Sequence, residues 1–474
     1  MSARTFDAIV VGGGQAGPPL AARLATAGMK VALVERRHLG GTCVNTGCMP
    51  TKALVANAYA AYLARRAADY GVMIDAPIRI DFDKVMERAR TITRDARGNL
   101  DAWIAGLENI TLIRGHARFE GPDTLRVGDS LLIAPRIFLN VGGRAAVPDM
   151  PGVGDVAFLT NSSLLALDEL PRHLLVVGGS YIGLEFAQMF RRFGSQVTVV
   201  ERMDRLVARE DEEISESLRT ILEAEGITIR TKAECISLAM HDGAPAIGVD
   251  CAEGPPELVG SHILLAIGRV PNTGDLDLAR AGIETDERGY IPVDERLRTR
   301  VPGIWAMGDC NRRGAFTHTA YNDFEIVAAN LLDGEDRKVS ERIPAYALYV
   351  DPPLGRVGMT EAEARKTGRR LLVGRRPMTK VGRAVEKGET HGLMKVVVDA
   401  DTREILGAAI LGTGGDEAIH AILEAMNGGM TSDQLRWAVP IHPTVSELIP
   451  TLLLDMKLIE PEPVVPEHGL RIPA

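Results

Sequence analysis

The sequence is short of three things: long apolar runs, excess positive charge and cysteine. None of its apolar runs approaches the roughly 18 residues that a membrane-spanning helix needs. Its 474 residues include 54 Lys and Arg against 63 Asp and Glu, so the net charge is −9. That balance gives no general attraction to nucleic acid or to an anionic membrane. We therefore expect neither a nucleic-acid nor a membrane partner.

The few cysteines are placed in an informative way. The whole chain has five cysteines, and two of them, Cys43 and Cys48, lie in the stretch GGTCVNTGCMPTK. Zinc sites usually combine C-x2-C pairs with a second cluster of ligands; this pair has wider spacing and no second pair, so we expect no metal site. A structural disulfide across so short a link would constrain little chain entropy. The chain starts without the apolar core of a signal peptide, so we expect a cytoplasmic protein, in which a close cysteine pair is more often catalytic or metal-binding than structural.

Helix geometry constrains how the two cysteines can meet. Residues five apart in a regular helix are separated by about 7.5 Å of rise, more than the roughly 4.4–6.8 Å between Cα atoms that a disulfide allows. We therefore expect the segment VNTG to be a turn, with Asn45 and Gly47 as turn formers. Pro50 suits the first turn of a following helix. Cys48 would then lie near a helix N-terminus, which lowers a thiol pKa, and Lys52 would add positive charge.

The chain contains two copies of a strand, glycine turn, helix, strand plan. In the first copy, VVGGGQAG, the pattern G-x-G-x-x-G is filled by Gly12, Gly14 and Gly17, and the second strand ends at Glu35. Such glycines let the backbone turn sharply, approach a pyrophosphate and pack the helix on its strand. An acid about 20 residues further on accepts hydrogen bonds from ribose hydroxyls. The first copy therefore predicts a dinucleotide site.

The second copy, GGSYIG, follows the first by 166 residues. It runs from Gly178 to Gly183, with Ser180 in place of the middle glycine, and its acid is Glu201. A carboxylate at that position repels a 2′-phosphate and so favours NAD(H) over NADP(H). The arginines that follow it act in the opposite sense. Downstream of each copy, an apolar strand returns to a glycine: RIFLNVGG ends at Gly143, and HILLAIG ends at Gly268.

Five motifs, in this order, resemble those of the class I FAD-dependent pyridine nucleotide-disulfide oxidoreductases. They are GGTCVNTGCMPTK, GGSYIGLEFA, LLAIGRVPNT, GIWAMGDC and HPTVSE. That family includes dihydrolipoyl dehydrogenase, glutathione reductase and mercuric reductase. The resemblance implies an α/β fold with two Rossmann-like nucleotide-binding domains, for FAD and NAD(P), and a C-terminal α+β dimerisation domain.

The resemblance also implies domain boundaries. We expect the first part of the FAD-binding domain over residues 1–150, the NAD(P)-binding domain over 151–270, a central domain that completes the FAD site over 271–343, and the dimerisation domain over 344–474. The terminal stretch EPEPVVPEHGLRIPA is expected to be loose.

The resemblance assigns the redox residues. Cys43 would be the interchange thiol that attacks the acceptor, and Cys48 would face the flavin as a thiolate. Lys52 would lie by flavin N5, paired with Glu185. FAD and NAD(H) are the expected cofactors.

Further roles follow from the same resemblance. His442, held by Glu447, would be the general base for the interchange thiol, and in the family this histidine comes from the other subunit, which implies an obligate homodimer. Asp309 would bind the FAD ribitol, the helix at Thr317 would point its N-terminus at the flavin, and Tyr181 would cover the nicotinamide site. The expected FAD-binding residues are Gly12, Gly14, Gly17, Glu35, Lys52, Gly143, Asp309 and Thr317; the expected NAD-binding residues are Gly178, Tyr181, Gly183, Glu201 and Gly268.

Local sequence favours the mercuric reductase-like branch, to which IFLNVGGRA and CVNTGCMPTK are similar, although the C-terminal tail lacks the cysteine pair of true mercuric reductases. We expect electrons to pass from NAD(P)H through FAD and the Cys43–Cys48 disulfide to a small disulfide, a metal ion or another small acceptor. Two alternatives stay open. One is dihydrolipoyl dehydrogenase, and the other is a flavin NADH oxidase, quinone reductase or electron-transfer reductase with a vestigial disulfide.

Overall fold

The structure is a computed structural model that describes residues 2–250 and 254–460. The terminal segment expected to be loose lies, from Pro461 onward, outside the described residues. The described residues form two compact units. The larger unit contains the chain up to Arg205 together with Glu223–Arg342, and the smaller contains Leu206–Leu222 together with the chain from Ile343 onward. Among these residues, no helix has the length and apolar character needed to cross a membrane.

The first nucleotide copy forms a five-stranded parallel sheet in the larger unit. Its central strand, Ala8–Val11, is buried along its whole length, as expected for a strand covered on both faces. In spatial order the strands are Ile304–Ala306, Ile137–Leu139, Ala8–Val11, Val31–Glu35 and Ile110–Arg114.

The second copy forms a four-stranded parallel sheet in the same unit. In spatial order its strands are Thr228–Arg230, Gln196–Val200, His173–Val177 and His262–Leu265. In both sheets the strand that returns from downstream pairs with the first strand of the copy: Ile137–Leu139 beside Ala8–Val11, and His262–Leu265 beside His173–Val177. This shared pairing confirms the two Rossmann-like folds predicted from the repeat.

Helices and three small sheets complete the larger unit. The helices are Gly17–Thr26, Gly41–Thr46, Cys48–Arg65, Phe82–Ala105, Asn161–Leu164, Tyr181–Phe193 and Thr317–Ala328. The small sheets pair Ser2–Thr5, Ser130–Ile133, Thr124–Val127 and Ala117–Gly121; Glu234–His241, Ala244–Asp250 and Glu257–Val259; and Gly143–Ala145 and Arg269–Pro271.

The smaller unit is built on a six-stranded antiparallel sheet, which fits the expected α+β domain. In spatial order its strands are Ala345–Leu348, Leu354–Gly358, Ile405–Leu411, Leu393–Asp399, Leu371–Pro377 and Lys457–Ile459. Its helices are Glu361–Arg365, Gly382–Glu386, Gly415–Ala418, His420–Asn427, Ser432–Leu435 and Ile449–Leu454. The segment Leu206–Leu222, which is inserted from earlier in the chain, adds most of the helix Glu212–Ala224.

A buried ionic network joins the inserted segment Leu206–Leu222 to the sheet of the smaller unit. Arg356, on a central strand, is 1% exposed and donates to Glu210 and to Asp211, each at 2.7 Å. Lys395, on another strand and equally buried, contacts Asp211 at 3.2 Å and Glu361 at 2.8 Å. Because these charged side chains are buried, each needs its oppositely charged partners to offset the free energy of desolvation.

Loss of one member of this network should be costly. Arg356→Met should lower the free energy of unfolding by about 3–5 kcal/mol, since Glu210 would stay buried without its cation. Urea denaturation of the whole protein measures this loss. Arg300→Met is the matched control, because Arg300 and Glu284 pair on the surface with 64% and 75% of their side chains exposed; its cost should be about 1 kcal/mol or less. Equal costs for the two variants would contradict the importance of burial.

Candidate functional site

The first glycine turn has a backbone that requires glycine. Gly12 has φ +108°, and a Cβ added there would lie 2.2 Å from the backbone oxygen of Asn140. A Cβ added at Gly17 would lie 2.0 Å from the oxygen of Gly12. Strand and helix therefore meet more closely than any side chain would allow, which leaves room for a diphosphate at the start of the helix Gly17–Thr26. The residues fit the dinucleotide predicted at this turn.

The second turn repeats this geometry. Gly178 has φ +115°, and a Cβ at Gly183 would again lie 2.0 Å from the oxygen of the first glycine of the turn. Tyr181 is the first residue of the following helix and is half-buried. Gly268, three residues beyond the returning strand, also has a positive φ, +129°. The sequence repeat is therefore a structural repeat down to the backbone of the turn.

Each turn is tied to an acid at the end of the second strand of its copy, Glu35 as the last residue of its strand and Glu201 directly after its strand. The N–H of Gly13 donates to Glu35 at 2.7 Å, and the N–H of Gly179 donates to Glu201 at 2.6 Å. In both copies the other carboxylate oxygen accepts the N–H of the residue two positions further on. The two acids therefore hold the turns in place, in addition to any contact with a ribose.

The redox pair lies across a break between two helices. Cys43 is in the helix Gly41–Thr46, and Cys48 is the first residue of the helix Cys48–Arg65. The expected turn at VNTG is thus wrong for its first three residues, which are helical. The chain changes direction at Gly47 alone, where a Cβ would lie 2.9 Å from a carbonyl oxygen of the preceding helix. The predicted position of Cys48 at a helix N-terminus is confirmed.

The two thiols are unequal in acidity. Both cysteines are free in this structure, Cys43 half-buried and Cys48 exposed. The pKa of Cys48 is lowered to about 6, chiefly by a hydrogen bond from the Cys43 thiol and also by Thr317 and Lys52, which together outweigh the opposing effect of burial. The same hydrogen bond, together with burial, raises the pKa of Cys43. Cys48 is therefore the thiolate of the dithiol pair near neutral pH.

Side chains from three helices of the larger unit surround this thiolate. The Sγ of Cys48 lies 3.3 Å from the Oγ1 of Thr317, the first residue of the helix Thr317–Ala328. One turn further along its own helix, Lys52 forms an ion pair of 2.7 Å with the buried Glu185. Glu185 lies on the helix of the second nucleotide copy, so the predicted Lys52–Glu185 pair connects the cysteine helix to that copy.

Asp309 lies in a short helical turn, Gly308–Asn311, after the strand Ile304–Ala306 of the first sheet. Burial raises its pKa, and Arg269 opposes that shift from 3.4 Å away. The same guanidinium donates to the backbone oxygen of Gly143 at 2.6 Å. Arg269 thus joins two positions expected to bind FAD.

His442 and Glu447 lie in the smaller unit. Their side chains are 2.8 Å apart, with 80% of the histidine side chain exposed and 16% of the glutamate side chain exposed. The carboxylate fixes the Nδ1 side of the ring and leaves the other nitrogen open to solvent. Such a pair has the form of a general base with its orienting group.

Two residues of the candidate site were missed by sequence reasoning. Arg269 stands in the motif AIGR, and its position directly after the glycine that follows a returning strand was a usable signal. Asn140 is 6% exposed and lies behind the first glycine turn. Its signal was the contrast with Ala266 at the same position of the second copy. Among the described residues, no group of three or more His, Cys, Asp or Glu is arranged to hold a metal ion.

Comparison with known proteins agrees with this geometry over most of the chain. Residues 6–323 match the pyridine nucleotide-disulphide oxidoreductase family, and residues 344–453 match the dimerisation domain of that family. The chain belongs to the pyridine nucleotide-disulphide oxidoreductases.

Similar proteins of this family have several activities. The chain is 36% identical to the probable pyridine nucleotide-disulfide oxidoreductase RclA of Escherichia coli, covering 95% of this chain and 99% of that protein. It is 34% identical to a dihydrolipoyl dehydrogenase of Thermus scotoductus, with coverage of 94% and 96%, and 33% identical to a mercuric reductase of Streptomyces lividans, with coverage of 91% and 92%. A solved Cu(II) complex of the HOCl-induced flavoprotein disulfide reductase RclA from Escherichia coli matches with a TM-score of 0.86 at 34% identity, covering 95% of this chain and 99% of that one.

The family membership confirms the predicted class. This pyridine nucleotide-disulphide oxidoreductase is a flavin-dependent disulfide oxidoreductase that uses FAD and NAD(P)H. Its dimerisation domain supports a homodimer. Consistent with a subunit interface, the residues just before His442 expose large apolar side chains, with Val439 95% and Ile441 80% exposed.

The acidity of Cys48 can be tested in the reduced protein. Its alkylation rate should rise with pH around a midpoint near 6. Cys43→Ala should move that midpoint upward, because it removes the strongest contact that stabilises the thiolate, and Thr317→Val should move it upward by less. Thr317→Ser keeps the hydroxyl and serves as the control. Iodoacetamide labelling with mass spectrometry at Cys48 gives the midpoint. An unchanged midpoint in Cys43→Ala would show that the thiol–thiol hydrogen bond is not the cause.

Proposed function

We propose that this chain is an NAD(P)H-dependent, mercuric reductase-like flavoprotein whose Cys43–Cys48 dithiol reduces a metal ion, with Cu(II) as the first candidate. The acidic Cys48 thiol beside Cys43 carries the proposal. A soft thiolate with a second thiol next to it is a good ligand and a good reductant for copper. The solved Cu(II) complex of the similar RclA matches nearly the full length of both chains. This similarity supports the choice of ion.

The proposed step balances in atoms and electrons. Two thiols form one disulfide, release two protons and give two electrons, which reduce two Cu(II) ions to Cu(I). NAD(P)H then restores the dithiol by supplying two electrons and one proton, the second proton coming from solvent. FAD, when bound, relays electrons between the nicotinamide and the disulfide.

The residues of the chain have separate tasks in this scheme. Cys48 sits where the helix N-terminus, Lys52 and Thr317 stabilise its negative charge. Lys52 is held in place by Glu185, on the helix that follows the second glycine turn. Cys43, protonated when its partner is a thiolate, is the thiol proposed to meet the acceptor. The dithiol can thus receive electrons at Cys48 and pass them to the acceptor from Cys43.

A disulfide acceptor is the second candidate, and the His442–Glu447 pair favours it. Thiol–disulfide exchange needs a proton to leave the attacking thiol and to reach the departing one. An exposed histidine oriented by a carboxylate can perform both transfers. We propose that a partner subunit supplies this histidine to the dithiol, as the family resemblance implies. Dihydrolipoamide oxidation, as in the similar dihydrolipoyl dehydrogenase, belongs to this second candidate.

Acceptor identity can be tested with two variants. The FAD-loaded protein should oxidise NADH with Cu(II), and Cys43→Ser should abolish that turnover. His442→Gln should leave the Cu(II) reaction within a few-fold of the parent rate, while slowing any turnover with lipoamide or glutathione disulfide about 10²- to 10⁴-fold. Cu(II) reduction that survives Cys43→Ser would exclude the dithiol as the electron donor. Oxygen or quinone turnover that also survives it would favour the oxidase or quinone reductase alternative.

The preference for the nicotinamide is proposed to be NADH. Glu201 places a negative charge at the end of its strand, next to the second glycine turn, where a 2′-phosphate would be repelled. Glu201→Gln keeps one oxygen that can accept a backbone N–H but removes the charge, so it should raise kcat/KM for NADPH relative to NADH. Steady-state kinetics with both nucleotides measures that ratio. Glu35→Gln, the same change in the first copy, should leave the ratio unaltered; an unchanged ratio in Glu201→Gln would eliminate Glu201 as the determinant.

A further inference from the structure

The two glycine turns differ at one buried position behind the turn. In the first copy, the residue after the returning strand is Asn140, whose N–H donates to Val11 at 2.8 Å. In the second copy the same place is taken by Ala266, whose N–H donates to Val177 at the same distance. The backbone oxygens of Asn140 and Ala266 also pack in the same way under the first glycine of their turn. The two positions are therefore equivalent, and only the first carries a side-chain amide.

The amide of Asn140 occupies the space inside the first turn. Its Nδ2 lies 3.4 Å from the oxygen of Gly12. A Cβ added at Gly14 or at Gly17 would come within 3.1 Å of that nitrogen. The Oδ1 faces the other way, 3.1 Å from the position of a Cβ on Gly308, so the amide presents its donor end to the turn. In the second copy Ser180 replaces the middle glycine, so a Cβ stands there and the amide is absent.

The helix that follows the first turn also differs in sequence from its counterpart in the second copy. The helix Gly17–Thr26 continues with Pro18 and Pro19, neither of which has an N–H. The corresponding residues of the second copy, 166 positions later, are Leu184 and Glu185, and both have one. Backbone N–H groups at a helix start are the donors that hold a dinucleotide phosphate. Leu184 already donates its N–H to the oxygen of Ser180 at 3.0 Å, and Glu185 follows it within the helix. The prolines therefore remove no donor that a phosphate would meet, and the side-chain amide is the donor by which the first turn differs.

We infer that Asn140 is a further cofactor-binding residue, whose amide donates to the diphosphate of the flavin dinucleotide. This inference rests on the proposed function, because it takes the first glycine turn as the FAD turn. Asn140 is 6% exposed and one of its amide hydrogens points to the oxygen of Gly12. A phosphate oxygen bound at the turn would be an acceptor for the other amide hydrogen. The ligand class is a dinucleotide diphosphate.

Binding of FAD to apo-protein tests the inference. Asn140→Ala, which reproduces the second copy, should raise the dissociation constant for FAD about 10- to 100-fold, the usual range for one hydrogen bond to a charged group. Asn140→Asp should weaken binding further, and its penalty should grow as pH rises, because the new carboxylate repels the diphosphate only when ionised. The penalty of Asn140→Ala should not vary with pH. Isothermal titration and flavin fluorescence quenching report these constants without any turnover.

The control is Ser195→Ala, which removes another buried hydrogen bond of the same unit, from Ser195 to the oxygen of Pro171 at 2.6 Å. It should lower the thermal stability of apo-protein but leave the dissociation constant for FAD unchanged. An unchanged constant in Asn140→Ala would overturn the inference even if Asn140→Asp failed to fold. So would equal penalties for both Asn140 variants at every pH. A parent protein that binds no FAD would instead overturn the proposed function.

Discussion

The chemistry of this protein depends on the interaction between the Cys43 and Cys48 thiols. By donating to Cys48, Cys43 becomes the weaker acid and its partner the stronger, so the pair has a direction before any substrate arrives. That contact requires two helices to meet end to end, with Gly47 as the joint. A residue with a Cβ at the joint would press against the preceding helix. The stretch GGTCVNTGCMPTK therefore meets a steric requirement, a residue without a Cβ between the two helices, as well as supplying the two thiols.

The larger unit is organised by duplication with local change. Both copies use a positive-φ glycine, a second glycine against the oxygen of the first, and an acid hydrogen-bonded to the turn. Such shared features are dictated by the close approach of a strand and a helix. The differences, Asn140 against Ala266 and Gly14 against Ser180, lie where the backbone does not constrain the residue. Differences of this kind are where two related turns can acquire different ligands.

Much of the fold and of the candidate site could be predicted from the sequence. The turns, the parallel sheets and the start of the helix at Cys48 follow from local patterns, glycine spacing and apolar strands, and all were predicted. The helix Gly41–Thr46 was not, because helical rise excludes one continuous helix through both cysteines but does not exclude two helices separated by one glycine. Lys52–Glu185 was predicted from family resemblance, since a pairing across 133 positions leaves no periodic signal. Asn140 and Arg269 were missed because their partners are equally remote in sequence.

The placement of Leu206–Leu222 has a consequence for synthesis of the chain. Glu210 and Asp211 leave the ribosome well before their cation, since Arg356 follows Asp211 by 145 residues (356 − 211). Until Arg356 has been synthesised, the carboxylates of Glu210 and Asp211 stay solvated. The helix Glu212–Ala224, which follows them, cannot pack in its final place during that time. The smaller unit is therefore completed late in translation, after all of the larger one has been made. A fragment that began at Ile343 would never receive these carboxylates, and its Arg356 would have to find another counterion or stay exposed.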